Sequence, residues 1–272
     1  MDRHKCSANL DKLCQGLEDY AKANPSGIPS DPSGLAEPLS SSLYLAHSTS
    51  DAKFSRVCAS GYLVSVSRLA ASRGKALPPR RTEVLMGTAD SVFFYVSPFR
   101  YPSTGCGLLF AGTLEHQHQD DGVATPFDSG GLLGIFTRPN SAESPQEFLA
   151  RHEMPIPEHR GYLRLSMGLL FHKAEDYVEG LTPHRPGPIG LTGGDQRRWT
   201  HEVRIPDQVL VRSKHLQAAF APLARVARDP EIERFFGWCA EEGVDHIAFD
   251  TPRGREFEAL QKTCLAYVRK LY

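Results

Sequence analysis

Between residues 91 and 212 the chain returns again and again to short apolar or alternating runs, SVFFYVSP, CGLLFAG, GLLGIF (131–136), THEVRI and QVLVR, which read as strands. An earlier run, LYLAH, and a later one, DHIAF, extend the set. Helical patterns gather toward the ends rather than between successive strands. Leu10, Leu13, Cys14, Leu17 and Tyr20 share one face over 7–23, and further helices are expected near 158–178, 213–227 and 230–242 and at the C-terminus. Strands massed in the middle predict an α+β domain rather than a doubly wound one.

The punctuation is equally informative. NPSGIPSDPSGLAEPLSSS at 24–42 carries prolines and serines that suit a linker, so the expected organisation is an N-terminal helix and linker over 1–42 and a main domain over 43–272. A helix is expected from Ser50, whose hydroxyl is placed to cap it, with Phe54, Val57 and Cys58 as its buried face and Gly61 as its stop. SPQE at 144–147 is a capping box with proline at the first helical position. GLTPHRPGPIGLTGGDQRR at 180–198 is too rich in glycine and proline for regular structure. A long shaped loop of this kind inside a domain suggests function.

Composition narrows the partners. With 31 basic and 32 acidic residues the net charge is −1, which argues against a broad electrostatic platform, so nucleic acid is not expected and a protein or small molecule is. Six cysteines without a CxxC pair predict neither a zinc ribbon nor a disulfide framework, and reduced thiols in cytosol are expected. No run approaches a membrane span, and MDRHKCSANLDK lacks the apolar stretch of a cleaved secretory signal. The expected localisation is therefore cytoplasmic, or a host cytosol reached without such a signal.

Several polar constellations remain. LYLAHSTSDAKFSRVCASGYL at 43–63 ends a strand in His47, followed by Ser48 and Thr49, while RRWTHEVRIPDQVLV at 197–211 places one carboxylate, Glu202, in a strand behind the irregular loop. ATPFDSGGLLG at 124–134 offers Asp128 and Ser129, with Pro126 fixing one dihedral and Gly130 permitting close backbone approach; the competing reading is an Asx-type turn. GTLEHQHQDDG clusters His116, His118, Asp120 and Asp121, but no further ligand block accompanies them, so a solvated polar loop is expected and no metal.

The first two of these blocks, 43–63 and 197–211, with DSVFFYVSPFRYP at 90–102 between them, together resemble the ADP-ribosyltransferase superfamily in their order. LYLAHSTSDAKFSRVCASGYL looks like its first strand and helix, DSVFFYVSPFRYP is similar to a block of its DNA-targeting toxin branch, and HEVRIPDQVLV resembles its glutamate strand. The resemblance spans roughly 43–216 and implies a split-sheet fold with NAD as substrate. It implies Glu202 as the catalytic carboxylate, with His47, Ser48, Thr49, Tyr95, Ser129 and Gly130 around the dinucleotide and Tyr95 stacking on nicotinamide. Thr200 stands where an arginine-modifying member carries Glu or Gln, which puts an arginine acceptor in doubt. Asp128 beside Glu202 would serve as base toward a hydroxyl. That pairing resembles the bacterial effectors that modify a threonine of ubiquitin, so ubiquitin is the specific expectation. The alternatives are a DNA-modifying toxin of the same superfamily and a binding module without turnover.

Overall fold

The computed structural model describes residues 43–73, 81–97, 105–132, 144–171, 174–181, 196–252 and 254–271. The expected N-terminal helix and linker, residues 133–136 of the GLLGIF run and 182–195 of the glycine- and proline-rich loop lie outside these.

Strand β1 (Leu45–Thr49) runs into helix α1 (Asp51–Ser60) and the short strand β2 (Tyr62–Val64); helices α2 (Val66–Arg73) and α3 (Arg81–Met86) precede β3 (Ser91–Val96) and β4 (Cys106–Phe110). Helix α4 (Thr113–Gln117), strand β5 (Val123–Thr125) and a 3-10 turn (Ser129–Leu132) lead to α5 (Pro145–His152), β6 (Met154–Pro155), α6 (Ile156–Leu170) and α7 (Ala174–Glu179). A second 3-10 turn (Gln196–Arg198) opens the last part, with β7 (Glu202–Pro206), β8 (Gln208–Leu210), β9 (Leu216–Pro222), α8 (Leu223–Val226), α9 (Pro230–Glu241), β10 (Asp245–Phe249) and α10 (Glu256–Val268).

The fold is α+β. Eight strands form one sheet in the order β10-β9-β4-β1-β3-β7-β5-β6, and β2 pairs with β8 beside it. Every neighbour in the large sheet is antiparallel except β9 and β10. Strand β3 alternates, burying Val92, Phe94 and Val96 on one face and leaving Ser91, Phe93 and Tyr95 half-buried on the other. All five residues of β4 are buried, as expected of a strand covered on both faces. On the face of Phe94, the rings of Phe94 and Phe110 meet edge to face at 5.6 Å. Helix α1 adds Phe54, Val57 and Cys58 to the same core, each such burial contributing about 1.5–3 kcal/mol for a large side chain.

Local signals act where the sequence places them, with one exception. Gly61 takes the left-handed conformation at φ 75° and its N–H donates to the carbonyl of Val57 at 2.8 Å, closing α1. At the other end of α1, Ser50 makes no side-chain cap; its backbone carbonyl accepts from Lys53 and Phe54 instead. The capping box of α5 is complete, with Ser144 Oγ accepting from the N–H of Glu147 and Glu147 Oε2 accepting from that of Ser144.

Four expectations change. The helix expected near 213–227 is mostly β9, because LQAAFAP sits between β4 and β10, buried on both faces, where position outweighs the helix propensity of its alanines. The helix expected over 158–178 is divided between α6 and α7, with Phe171 extended at φ −124°, ψ 151°. The start of the GLLGIF run belongs to a 3-10 turn rather than a strand. The loop expected at GTLEHQHQDDG contains α4, which buries Leu114 and Glu115.

Candidate active site

Glu202 begins β7, inside the large sheet, where it lies between Tyr95 of β3 and Thr125 of β5. Directly paired residues share a face, so these three side chains form one row across the sheet. Arg204, two residues along the same strand, shares that face. Glu202 is only 2% exposed. Ser129 Oγ donates to its Oε1 at 2.6 Å, and Arg204 Nε lies 3.6 Å from the same oxygen. The far end of the Arg204 guanidinium pairs with Glu153.

The loop after β5 brings up the second carboxylate. Thr125 Oγ1 donates to the carbonyl of Phe127 at 2.8 Å, and the buried Phe127 ring packs 5.8 Å from Phe148 and 5.7 Å from His152, both on α5. The loop is thereby pinned at its apolar residue while its polar ones turn to the sheet. Asp128 Oδ1 accepts from the N–H of Gly130 at 2.7 Å, an Asx turn, and the N–H of Asp128 donates to Arg197 at 2.9 Å. A Cβ on Gly130 would come within 3.1 Å of that same Asp128 oxygen.

Burial raises the Glu202 carboxyl to about 8, with the Asp128 charge adding to the rise and Arg204 and the Ser129 hydroxyl opposing it. Two carboxyl groups in one enclosed place cannot both ionise freely, so one proton is retained near neutrality. The arrangement suits placing negative charge beside a developing cation, and exchanging a proton with a nucleophile.

The remaining expected residues divide between the two faces. Tyr95 stands in the Glu202 row, half-buried, and Ser48 shares that face by strand alternation through the Ala46↔Tyr95 pair. His47 and Thr49 point to the opposite face, where α1 packs. His47 lies within β1 rather than at its end; its Nδ1 donates to the carbonyl of Phe93 at 2.9 Å, and its ring lies 5.8 Å from Phe94. Burial lowers its pKa, favouring the neutral ring. Thr49 is buried opposite Cys106, whose thiol donates to Asp51 of α1 at 3.5 Å. The period of two that exposes Ser48 to the Glu202 face is what turns its two neighbours away.

Sequence reasoning passed over Arg204, although its signal was present: Glu-x-Arg in an alternating strand puts both groups on one face. Among the described residues no group of three or more His, Cys, Asp or Glu is gathered to hold a metal; His118 Nδ1 pairs with Asp121 at 3.1 Å. Burial pushes the thiols of Cys58 and Cys106 upward, away from the reactive thiolate. A separate cavity of about 250 Å³, lined by residues that include Leu114, His118, Val209 and His215, shares no residue with the Glu202 cluster.

No protein-family model and no curated protein matches the chain. Solved structures similar to it include DarT from Thermus sp. 2.9. The complex with ADP-ribosylated single-stranded DNA has a TM-score of 0.42 at 11% identity, covering 76% of this chain and 93% of that one. The complex with NAD+ gives 0.39 at 10% identity over 79% and 96%, and that with carba-NAD+ gives 0.37 at 11% over 76% and 94%.

Proposed function

We propose that this chain is an NAD-dependent mono-ADP-ribosyltransferase in which Glu202 is the catalytic carboxylate. The observation that carries the reading is a deeply buried glutamate on a central strand, hydrogen-bonded by Ser129 and flanked by Arg204 and Asp128. Burial of such a group without a structural gain is costly, and a carboxylate with a raised pKa beside a second carboxylate is a feature of functional sites.

The chemistry follows from charge. The N-glycosidic bond of NAD+ breaks with its electron pair leaving on nicotinamide, and positive charge develops on the ribose anomeric carbon. Glu202, ionised and accepting from a ribose hydroxyl, stabilises that charge. A nucleophile on the acceptor then forms the new bond to the same carbon, and its proton passes to Asp128. Ser129 aligns Glu202, Tyr95 offers an aromatic face to the departing ring, and Gly130 allows close approach of the dinucleotide.

The acceptor is a separate matter. A net charge of −1 does not exclude nucleic acid, because a local groove suffices to bind phosphates, and nothing in the described residues favours ubiquitin. A hydroxyl on a protein and a group on single-stranded DNA are the two acceptors to compare. The deciding experiment incubates the protein with adenylate-labelled NAD+ and either single-stranded DNA or ubiquitin, with Glu202→Ala and Asp128→Ala as controls. Label transferred to one of these and lost in Glu202→Ala is the expected result. Full transfer by that variant, or no consumption of NAD+ by the wild type, overturns the proposal.

A further inference from the structure

One step beyond the Tyr95↔Glu202 pair the β3–β7 ladder changes character. In a hydrogen-bonded antiparallel pair, each residue donates to the other. Val96 donates to the carbonyl of His201 at 2.9 Å, but the reciprocal bond is missing. In its place stands the hydroxyl of Tyr177, which accepts from the N–H of His201 at 3.1 Å and donates to the carbonyl of Val96 at 2.8 Å. The sheet is therefore joined there on one side directly and on the other through an interposed oxygen.

That oxygen is not an incidental contact. Tyr177 is 1% exposed, and its ring meets Phe171 edge-on at 5.6 Å and the His201 ring at 5.9 Å. His201 in turn is hydrogen-bonded to His159 of α6 at 2.9 Å. The hydroxyl is thus delivered by α7 and braced by its neighbours, and enclosed groups such as His201 N–H have no water to replace it. The residue that follows His201 is Glu202.

We infer that Tyr177 is a positioning residue: its hydroxyl, inserted between Val96 and His201, sets the separation of β3 and β7 where Glu202 enters the sheet, and so fixes the carboxyl relative to Ser129 and Tyr95. The kinetic half of this inference rests on the proposed transferase activity; the structural half does not. Without the hydroxyl, the two strands either close to form the missing bond or leave both groups unpaired. Either outcome moves the start of β7, and misplacement of a reacting group by about 1 Å can cost on the order of a hundredfold in rate.

The test is Tyr177→Phe, compared with wild type by carbon NMR titration of the Glu202 carboxyl, by NAD+ turnover and by thermal melting. The expected result is a displacement of the Glu202 midpoint by about one pH unit, and a fall in kcat of about ten- to a hundredfold with KM within about threefold. Unchanged titration and unchanged kcat, even with a lower Tm, overturn the inference and leave Tyr177 a packing residue. If the wild type does not consume NAD+, the functional reading fails and the titration alone decides the role of Tyr177. Should the phenylalanine variant not fold, difluorotyrosine placed at 177 alone retains the ring and both bonds but strengthens the donor. A displaced Glu202 midpoint at unchanged Tm then supports the inference, and an undisplaced one overturns it.

Discussion

At the scale of single residues, the Glu202 carboxyl links activity and stability to pH in opposite directions. Its pKa of about 8 in the folded chain stands above the ordinary 4.5, so the folded state retains a proton that the unfolded chain has released. Stability therefore falls as pH climbs from about 4.5 toward 8, and the cost is fully present above 8. The ionised form that the proposed mechanism requires gains population over the same range. We expect kcat/KM for NAD+ to rise with pH through about 8 in a pH–rate profile. Glu202→Gln should lose about a hundredfold or more in rate. In urea titrations at pH 9 the same variant should match or exceed the wild type by about 2 kcal/mol, since an amide cannot be forced to ionise. A variant as unstable as Ala at this position would show that the carboxylate supports the fold instead. Ser129→Ala removes the bond that favours the ionised form, so the rate profile should move to higher pH, with turnover reduced by about tenfold.

At the scale of elements, β7 carries the site because its two polar residues face the same way while Val203 and Ile205 enter the core. Arg204 is nearly as buried as Glu202 and lies within ion-pair reach of both Glu202 and Glu153. At pH 9, where Glu202 is ionised, Arg204→Met should destabilise by about 3–5 kcal/mol, read from urea unfolding, because it leaves the buried Glu202 carboxylate uncompensated. A loss below about 1 kcal/mol at that pH would mean that Arg204 does not stabilise the ionised form of Glu202. This strand was also the most legible part of the sequence: HEVRIP alternates, follows a stretch no regular element could use, and exposes its carboxylate by that contrast. The capping box at Ser144 and the glycine stop at Gly61 were legible for the same reason, since each is a local hydrogen-bonding rule. LQAAFAP misled because a strand buried on both faces has no alternation to read, and its alanines favour a helix when considered alone. His47 was visible as a strand histidine, but the face it takes depends on its register with β3. Tyr177 was out of reach, because its partner Val96 lies 81 residues away and no local pattern announces an inserted hydroxyl.

At the scale of the whole molecule, the two sides of the sheet carry different duties. The face that includes Phe94 packs on α1, and α9 in turn covers α1, with Phe54 and Phe235 meeting edge to face at 6.3 Å. The Glu202 row lies on the other face and, in its described contacts, depends on α5 and the loop after β5. Asp229 caps α9 by accepting from Glu231 and Ile232 at 3.0 and 3.4 Å, and none of its bonds leads to the Glu202 cluster. Asp229→Ala should therefore lower stability by about 1 kcal/mol through loss of the cap. It should leave the rate of NAD+ consumption within about twofold, because sites without shared partners contribute independently. Combined with Glu202→Gln, the two stability changes should add to within about 0.5 kcal/mol. Urea unfolding of the wild type, both single variants and the double variant measures the coupling directly. A coupling above about 1 kcal/mol, or a tenfold fall in turnover for a folded Asp229→Ala, would show that the helical layer and the carboxylate cluster communicate through the sheet rather than merely sharing it.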